Sequence, residues 1–247
     1  MSLWGRLNRT FYPVKIIIFP SYCQLCGQLL KHEAERVICS DCLKKLEIKQ
    51  SPSCPVCGRF YFNNLPGDYL CGECLGNPPP FDWHRSLGLY DGRLKEIILI
   101  FKYQGYEVLS RPLGRLAYEK LSADQGLSGV DFIVPVPLHK EREKKRGFNQ
   151  SELLSREISK LSSIPVMKSN LIKTKPTPAQ VSLEAAERKS NLRGVFKVKR
   201  PEKIAGRTLL LIDDVFTTGS TIKECTKELK KAGAREVRAI TLARAQK

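Results

Sequence analysis

Eight of the nine cysteines fall before residue 75, as four C-x-x-C pairs: Cys23/Cys26, Cys39/Cys42, Cys54/Cys57 and Cys71/Cys74. No other feature restricts the folding options of this chain so severely. Gaps of 12, 11 and 13 residues separate consecutive pairs, close to the spacing at which two knuckles place four thiolates around one tetrahedral ion. The simplest pairing is sequential, with Cys23, Cys26, Cys39 and Cys42 on one ion and Cys54, Cys57, Cys71 and Cys74 on the other. Gly27, Gly58 and Gly72 follow or lie within knuckles, where the backbone turns its amides toward sulfur. The segment has few other apolar residues, and a stretch this small folds only around such a staple. Two structural Zn²⁺ ions are therefore expected, with an iron–sulfur cluster and a redox dithiol as alternatives. A disulfide framework would need a secretory context, which the sequence does not suggest. Four-cysteine sites are closed, so these metals are structural rather than catalytic. His32 lies between two knuckles and, with the cysteine sets complete, reads as a surface residue. Cys225 stands alone on the apolar face of a helix and reads as a small buried thiol.

The run "GNPPPFDW" at 76–83 marks a boundary, since three consecutive prolines fit neither a helix nor a central strand. This divides the chain into 1–80, the cysteine module, and 81–247. Past the boundary, "GRLKEIILIFKYQG" (92–105), "RPLGRLAYEKL" (111–121) and "SELLSREISKL" (151–161, with Ser151 as cap) carry helical spacing, while "DFIVPVPL" (131–138), "GVFKVK", "GRTLLLIDD" and "EVRAITLAR" read as strands. The polar stretch 168–191 reads as a mobile loop, "KTKPTPAQVS", followed by a short helix, "LEAAERKSNL". Alternating strands and helices indicate an α/β domain with a mostly parallel sheet. No apolar run reaches bilayer-spanning length, and "VKIIIF" at 14–19 is too short for a signal-peptide core. A soluble cytoplasmic protein without membrane insertion is expected.

"LLLIDDVFTTGSTI", at 209–222, joins four large aliphatic residues to two carboxylates and a Thr/Gly/Ser-rich turn. The aliphatics suit a strand buried on both faces, and Ile222, Cys225, Leu229 and Ala232 then recur at helical spacing up to Gly233. Strand, tight turn and helix N-terminus together favour an anion at the strand's carboxyl end. The turn is no Walker A, because Ser220 stands where lysine is required, and Gly219 is its only glycine, so it is no dinucleotide fingerprint either. Amides and hydroxyls of Thr217, Thr218, Gly219, Ser220 and Thr221 can still wrap a phosphate. Asp213 and Asp214 can accept hydrogen bonds from a vicinal diol on the attached sugar, or help place Mg²⁺. The plain structural alternative is a capped strand end with solvated acids.

Lysine and arginine number 42 against 25 acids, a formal net charge of +17. This favours polyanionic partners, either nucleic acid or a phosphorylated small molecule. "HKEREKKR" (139–146) and "KVKRPEK" (197–203) are local concentrations. No aromatic-interleaved basic stripe accompanies them, and a solvated basic face is the alternative.

The DD-turn resembles the 5-phosphoribosyl-1-pyrophosphate (PRPP) motif of type I phosphoribosyltransferases. "FPSYCQLC", "VPVPLHKEREKKRGFNQSELLSREIS" (134–159), "TPAQVSLEAAERKSNLRGVF" (177–196) and the DD-turn occur in this order in the ComF/GntX family of bacterial competence-associated proteins, a resemblance covering nearly the whole chain. It implies a type I phosphoribosyltransferase sheet preceded by a small double zinc ribbon. It also implies that Asp213 and Asp214 hold the ribose hydroxyls, that Thr217 to Thr221 hold the 5′-phosphate of Mg²⁺-PRPP, and that the segment from Pro137 to Lys140 occupies the pyrophosphate-loop position. Lys140, Arg142 and Arg146 follow that strand end and can neutralise a pyrophosphate. Arg188 and Asn191 belong to a family block whose role the residues do not reveal.

Two functional readings follow. In one, the protein transfers a phosphoribosyl group to an unidentified acceptor in the service of DNA uptake, although no general base is evident. In the other, it is a non-catalytic single-stranded-DNA-binding adaptor among competence proteins, with a sensory or vestigial PRPP site.

Overall fold

The computed structural model describes residues 20–30, 36–49, 52–62, 67, 69–176 and 194–246. His32, the "LEAAERKSNL" helix, Arg188 and Asn191 lie outside these residues. The chain divides into two compact units, 1–47 and 48–247.

In the first unit, a knuckle is closed by the Gly27 amide donating to the Cys23 carbonyl and by an antiparallel bridge between Tyr22 and Leu29. A one-turn helix follows, α1 (Ser40–Lys44), capped by the Cys39 sulfur, which accepts from the Cys42 amide. The larger unit opens with a second copy of this device. The Gly58 amide donates to the Cys54 carbonyl, Ser53 bridges Phe60, and a second short helix, α2 (Gly72–Gly76), starts at Cys71.

The rest of the second unit runs β1 (Trp83–Leu89), α3 (Gly92–Tyr103), α4 (Ser110–Ala123), β2 (Phe132–Pro135), α5 (Lys140–Arg146), α6 (Gln150–Ser162), β3 (Leu171–Lys173), β4 (Phe196–Val198), β5 (Thr208–Phe216), α7 (Ser220–Lys231) and β6 (Glu236–Arg244). Four strands form a wholly parallel sheet in the order β1-β6-β5-β2. Leu209 to Ile212 are each at most 1% exposed, as the unbroken aliphatic run requires, and complete burial of each such side chain stabilises by about 1.5–3 kcal/mol. Leu209 and Leu211 face a core that includes Ile222, Cys225 and Leu229 of α7, and all four cysteines of the second knuckle pair belong to the same core. The second knuckle packs as part of the α/β unit.

Three local readings are revised. The polar stretch from 168 includes a strand, since Leu171 is buried and β3, ending on the first residue of the expected loop, Lys173, pairs antiparallel with β4. The cap of α6 is Asn149, whose side chain accepts from the Ser151 amide at 3.0 Å. This leaves the Ser151 hydroxyl for another partner. Strand β1 escaped the periodicity argument because its inward residues include His84 and Ser86, both fully buried.

Among the described glycines, the closest approach to another stretch of backbone is at Gly58. Its φ is +66°, and a Cβ there would stand 2.5 Å from the His84 carbonyl oxygen. Gly147 has φ +88° with open space around it. Gly147→Ala should cost only the left-handed penalty of about 1–2 kcal/mol, whereas Gly58→Ala should cost at least about 1 kcal/mol more by adding overpacking. Denaturant midpoints of the zinc-loaded protein compare the two, and equal losses would mean that the knuckle does not press on β1.

Candidate functional site

The sulfurs of Cys23, Cys26, Cys39 and Cys42 lie within 4.8 Å of one another, as do those of Cys54, Cys57, Cys71 and Cys74. The grouping is the sequential one. Cys26 and Cys39 sulfurs are 3.7 Å apart and those of Cys57 and Cys71 are 3.6 Å apart. A tetrahedron with zinc–sulfur bonds near 2.3 Å has edges of about 3.8 Å, so both donor sets fit Zn²⁺. Amides turn toward the sulfurs, with Cys39 N donating to Cys23 Sγ at 3.4 Å. Burial opposes ionisation of Cys54, yet amides of Cys57, Cys71 and Val56 bring its thiol down to about 7, poised to ligate as thiolate.

The second knuckle is fastened to β1 by the His84 amide, which donates to the Val56 carbonyl at 2.8 Å, and to both β1 and β6 through the Cys57 carbonyl. Cys57 O accepts from Arg244 Nη1 at 2.6 Å and pairs with His84 Nδ1 at 2.9 Å. Nδ1 must carry the proton to donate there, while Nε2 pairs with the Thr241 hydroxyl at 3.1 Å. Complete burial, reinforced by the Arg244 charge, pushes the His84 pKa down to about 3. The imidazole is neutral at any working pH. The Arg244 guanidinium also lies 4.6 Å from the centre of the Phe216 ring, the last residue of β5.

From Phe216 the chain enters the phosphate-type turn. Strand pairing continues past the two acids, because Val215 and Phe216 are held in register with Ala243 and Arg244 of β6. Gly219, at φ +72°, reverses the chain and begins α7, its carbonyl accepting from the Lys223 amide at 2.8 Å. A Cβ at Gly219 would stand 2.2 Å from the Phe216 ring. The ring thus fills the floor of the turn, and only glycine fits above it. Thr218 and Ser220 hydroxyls are 2.7 Å apart, while first-turn amides of α7 have no partners within the helix.

Asp213 and Asp214 sit side by side, both partly buried. Asp213 Oδ1 accepts from the Asp214 amide at 2.9 Å and from the Ser151 hydroxyl at 3.2 Å. Burial, with the Asp214 charge alongside, pushes the Asp213 pKa up to about 7. Lys102 Nζ of α3 stands 2.8 Å from Asp214 Oδ1, and each side chain is 15% exposed. Burial works against the lysine's charge, but the two carboxylates outweigh it and raise its pKa. Lys102 and Ser151 were not among the residues singled out from sequence. Neither carries a local signal, because each reaches the acids from a helix more than 60 positions away.

The basic candidates lie on α5, a helix without a buried residue. Lys140 is exposed at its first position. Arg146 is engaged by Gln150 at 2.7 Å and by the Tyr103 ring at 5.3 Å. Arg142 lies close enough to Lys173 of β3 to help burial push that lysine down to about 8. Lys173, which also feels Asp213, is a further cation beside the acids that the sequence did not mark.

Comparison with known proteins places this architecture. Residues 15–75 match the model of the double zinc ribbon domain, and residues 139–247 that of the phosphoribosyl transferase domain. Competence protein F of Haemophilus influenzae is 35% identical over 87% of this chain and 93% of its own length. The chain belongs to the ComF/GntX family. Within this ComF/GntX group, DNA utilization protein YhgH of Escherichia coli K12 is 34% identical over 93% of this chain and 99% of its own. Competence protein ComFC of Streptococcus pneumoniae is 28% identical over 90% and 99%. The parallel α/β sheet after a double zinc ribbon is the fold expected from the sequence. A purine phosphoribosyltransferase of Pyrococcus horikoshii overlays more loosely, with a TM-score of 0.36 and 16% identity over 55% of this chain and 85% of its own.

Protein purified without chelator should carry two zinc ions per chain by elemental analysis. Cys54→Ser should lose one ion and destabilise the α/β unit, because that knuckle shares its core. Cys225→Ser should keep both ions, since Cys225 lies in neither cluster and burial raises its thiol well above the usual range. A single ion in the wild-type protein would overturn the two-site assignment.

Proposed function

We propose that this ComF/GntX protein binds Mg²⁺-PRPP at the carboxyl end of β5 and serves DNA uptake in the cytoplasm, where reducing conditions keep eight thiols available to metal. One observation carries the reading. Two adjacent carboxylates stand near the carboxyl end of a strand whose preceding residues are buried, and that strand, closing at Phe216, leads into a glycine-reversed turn that delivers a helix N-terminus. Asp213 and Asp214 face the ribose diol, and Thr217, Thr218, Gly219, Ser220 and Thr221 enclose the 5′-phosphate through amides and hydroxyls. Lys140, Arg142 and Arg146 stand on the segment that would meet pyrophosphate, with Lys173 beside them. Mg²⁺, when bound, would supply charge neutralisation for the leaving pyrophosphate.

Lys102 pairs with Asp214, so a diol or a cation would compete with it for the carboxylate. Asp213 is faced by Asp214, Lys102, Ser151, Lys173 and Cys225. Its raised pKa has opposite consequences for folding and for binding. Protonated Asp213 stabilises the fold, a contribution fully present below the ordinary carboxylate range and lost as pH rises through about 7. Cation binding needs the carboxylate, so it strengthens over the same window.

Titration calorimetry of Mg²⁺-PRPP against pH should show affinity rising through about 7, with proton release on binding. Asp213→Asn should flatten this profile and weaken binding by about 2–3 kcal/mol while leaving the fold intact. Unaltered PRPP affinity in an Asp213→Asn/Asp214→Asn double variant would remove the ribose assignment.

A second reading, binding of single-stranded DNA, is favoured by the wholly exposed cationic face of α5, where Lys140, Lys144 and Lys145 are all in solvent. The name of the Escherichia relative, DNA utilization protein YhgH, points the same way. Such binding should weaken steeply with salt, and replacing those three lysines with glutamine should reduce the slope of log K against log[salt] by about two. An unchanged slope would exclude α5 as the DNA face. Measuring pyrophosphate release from PRPP, with and without single-stranded DNA, separates transfer from simple binding.

A further inference from the structure

The two acids of β5 come with a cation of their own. Lys102 Nζ stands 2.8 Å from Asp214 Oδ1, and its placement does not rest on the long side chain alone. The Lys102 carbonyl, one residue short of the end of α3, accepts from Gln150 Nε2 at 3.4 Å, and Gln150 is 1% exposed. The next residue, Ser151, donates to Asp213 Oδ1 at 3.2 Å. Two consecutive positions in the first turn of α6 thus hold both sides of the cluster, the lysine through its backbone and the carboxylate directly. Tyr90, just past β1, lies near enough to feel the charges of Lys102 and Asp214, and Lys173 of β3 feels that of Asp213. Burial opposes the Lys102 charge, yet Asp214 and Asp213 outweigh it, so the ammonium persists.

Two adjacent aspartates without such a neighbour offer Mg²⁺ the hard, anionic oxygens it requires. Here the ammonium already matches one negative charge, and burial, with Asp214 alongside, pushes the Asp213 pKa up to about 7. A divalent ion on this pair must therefore face Lys102 at close range. At about 4 Å, even screened as fully as in water, that repulsion weakens a divalent ion about thirtyfold. A sugar diol meets no such barrier. It is neutral and donates hydrogen bonds, and the two carboxylates offer more lone pairs than Lys102, Ser151 and the Asp214 amide engage.

We propose that Lys102 is the specificity-determining residue of this site: it bars a bare divalent cation from the Asp213/Asp214 pair and reserves the pair for a vicinal diol, so that Mg²⁺ enters only when already held by the ligand's phosphates. The choice of a diol rests on the PRPP reading, whereas the exclusion of the free ion does not.

Calorimetry of the full-length, zinc-loaded protein with MgCl₂ alone tests the exclusion, at a pH of about 8, above the value of about 7 to which Asp213 is raised. Wild type should give no Mg²⁺ heat that Asp213→Asn/Asp214→Asn removes. Lys102→Met should bind Mg²⁺ at least about tenfold more tightly than wild type, a gain that disappears when Asp214→Asn is added. Lys102→Arg, which keeps the charge, should bind no more Mg²⁺ than wild type. A purely structural lysine would produce no gain of metal affinity on removal. Should Lys102→Met not fold, Lys102→Gln, which retains a hydrogen-bond donor, decides by the same criterion. The diol is probed with ribose 5-phosphate in Mg²⁺-free buffer, which wild type should bind about fivefold or more tightly than 2-deoxyribose 5-phosphate. Added Mg²⁺ should compete with ribose 5-phosphate in Lys102→Met and not in wild type. Unaltered Mg²⁺ affinity in the neutral variants, or Mg²⁺ held by the two acids in wild type, overturns the exclusion. A Mg²⁺ gain without any preference for the diol leaves the exclusion standing and removes the diol together with the PRPP reading.

Discussion

The backbone carbonyl of Cys57 ties the second knuckle pair to two strands of the sheet at once. It receives Arg244 from the end of β6 and His84 from β1, both buried. The carbonyl is fixed in space by the knuckle, and the knuckle by its four sulfurs, so the positions of two sheet side chains depend on thiolate geometry. Arg244 in turn flanks Phe216, and Phe216 is the floor of the turn at Gly219. Metal geometry and turn geometry are thus linked by three contacts in series. This is why the second knuckle belongs to the larger compact unit.

At the other side of the turn, two carboxylates are held adjacent at the end of a strand whose preceding four residues exclude water. Two such charges repel, and burial adds to the cost of ionising Asp213. Lys102 and the Ser151 hydroxyl offset part of that cost without removing it. The acids are consequently ready to exchange a lysine and a proton for a ligand's hydroxyls or cation. A surface pair of aspartates would have no such drive, because water already solvates it.

The knuckle cysteines and the strand-turn-helix at 208–231 were legible in sequence because their constraints are local: ligand spacing in one case, an aliphatic run followed by turn residues in the other. What surrounds the acids was not. Lys102 meets Asp214 across 112 positions, and the Ser151 hydroxyl is free for Asp213 only because Asn149 takes the capping role expected of Ser151. Strand β1 was hidden for a related reason. His84 and Ser86 are polar, and their burial makes sense only once the Thr241 hydroxyl is brought to within 3.1 Å and 2.8 Å of them. Strand β4 was legible in "GVFKVK", but its partner β3 rests on Leu171 inside polar sequence, too little apolar pattern to read.

The strand order also dictates a sequence of events on the ribosome. Among the described residues β1 pairs only with β6, and β6 lies between β1 and β5 although it follows every other described strand in the chain. Each knuckle can close on metal as soon as its own few residues emerge, since its contacts are local. The second knuckle's anchor, Arg244, is translated some 190 residues after Cys54. Until then β1 has no neighbour in the sheet, and its edge and the buried-to-be face of the knuckle are both open to solvent. A nascent chain of this order would complete the knuckle's contacts with β1 early and its contact with β6 last, and a bound metal would order the module before that last contact forms.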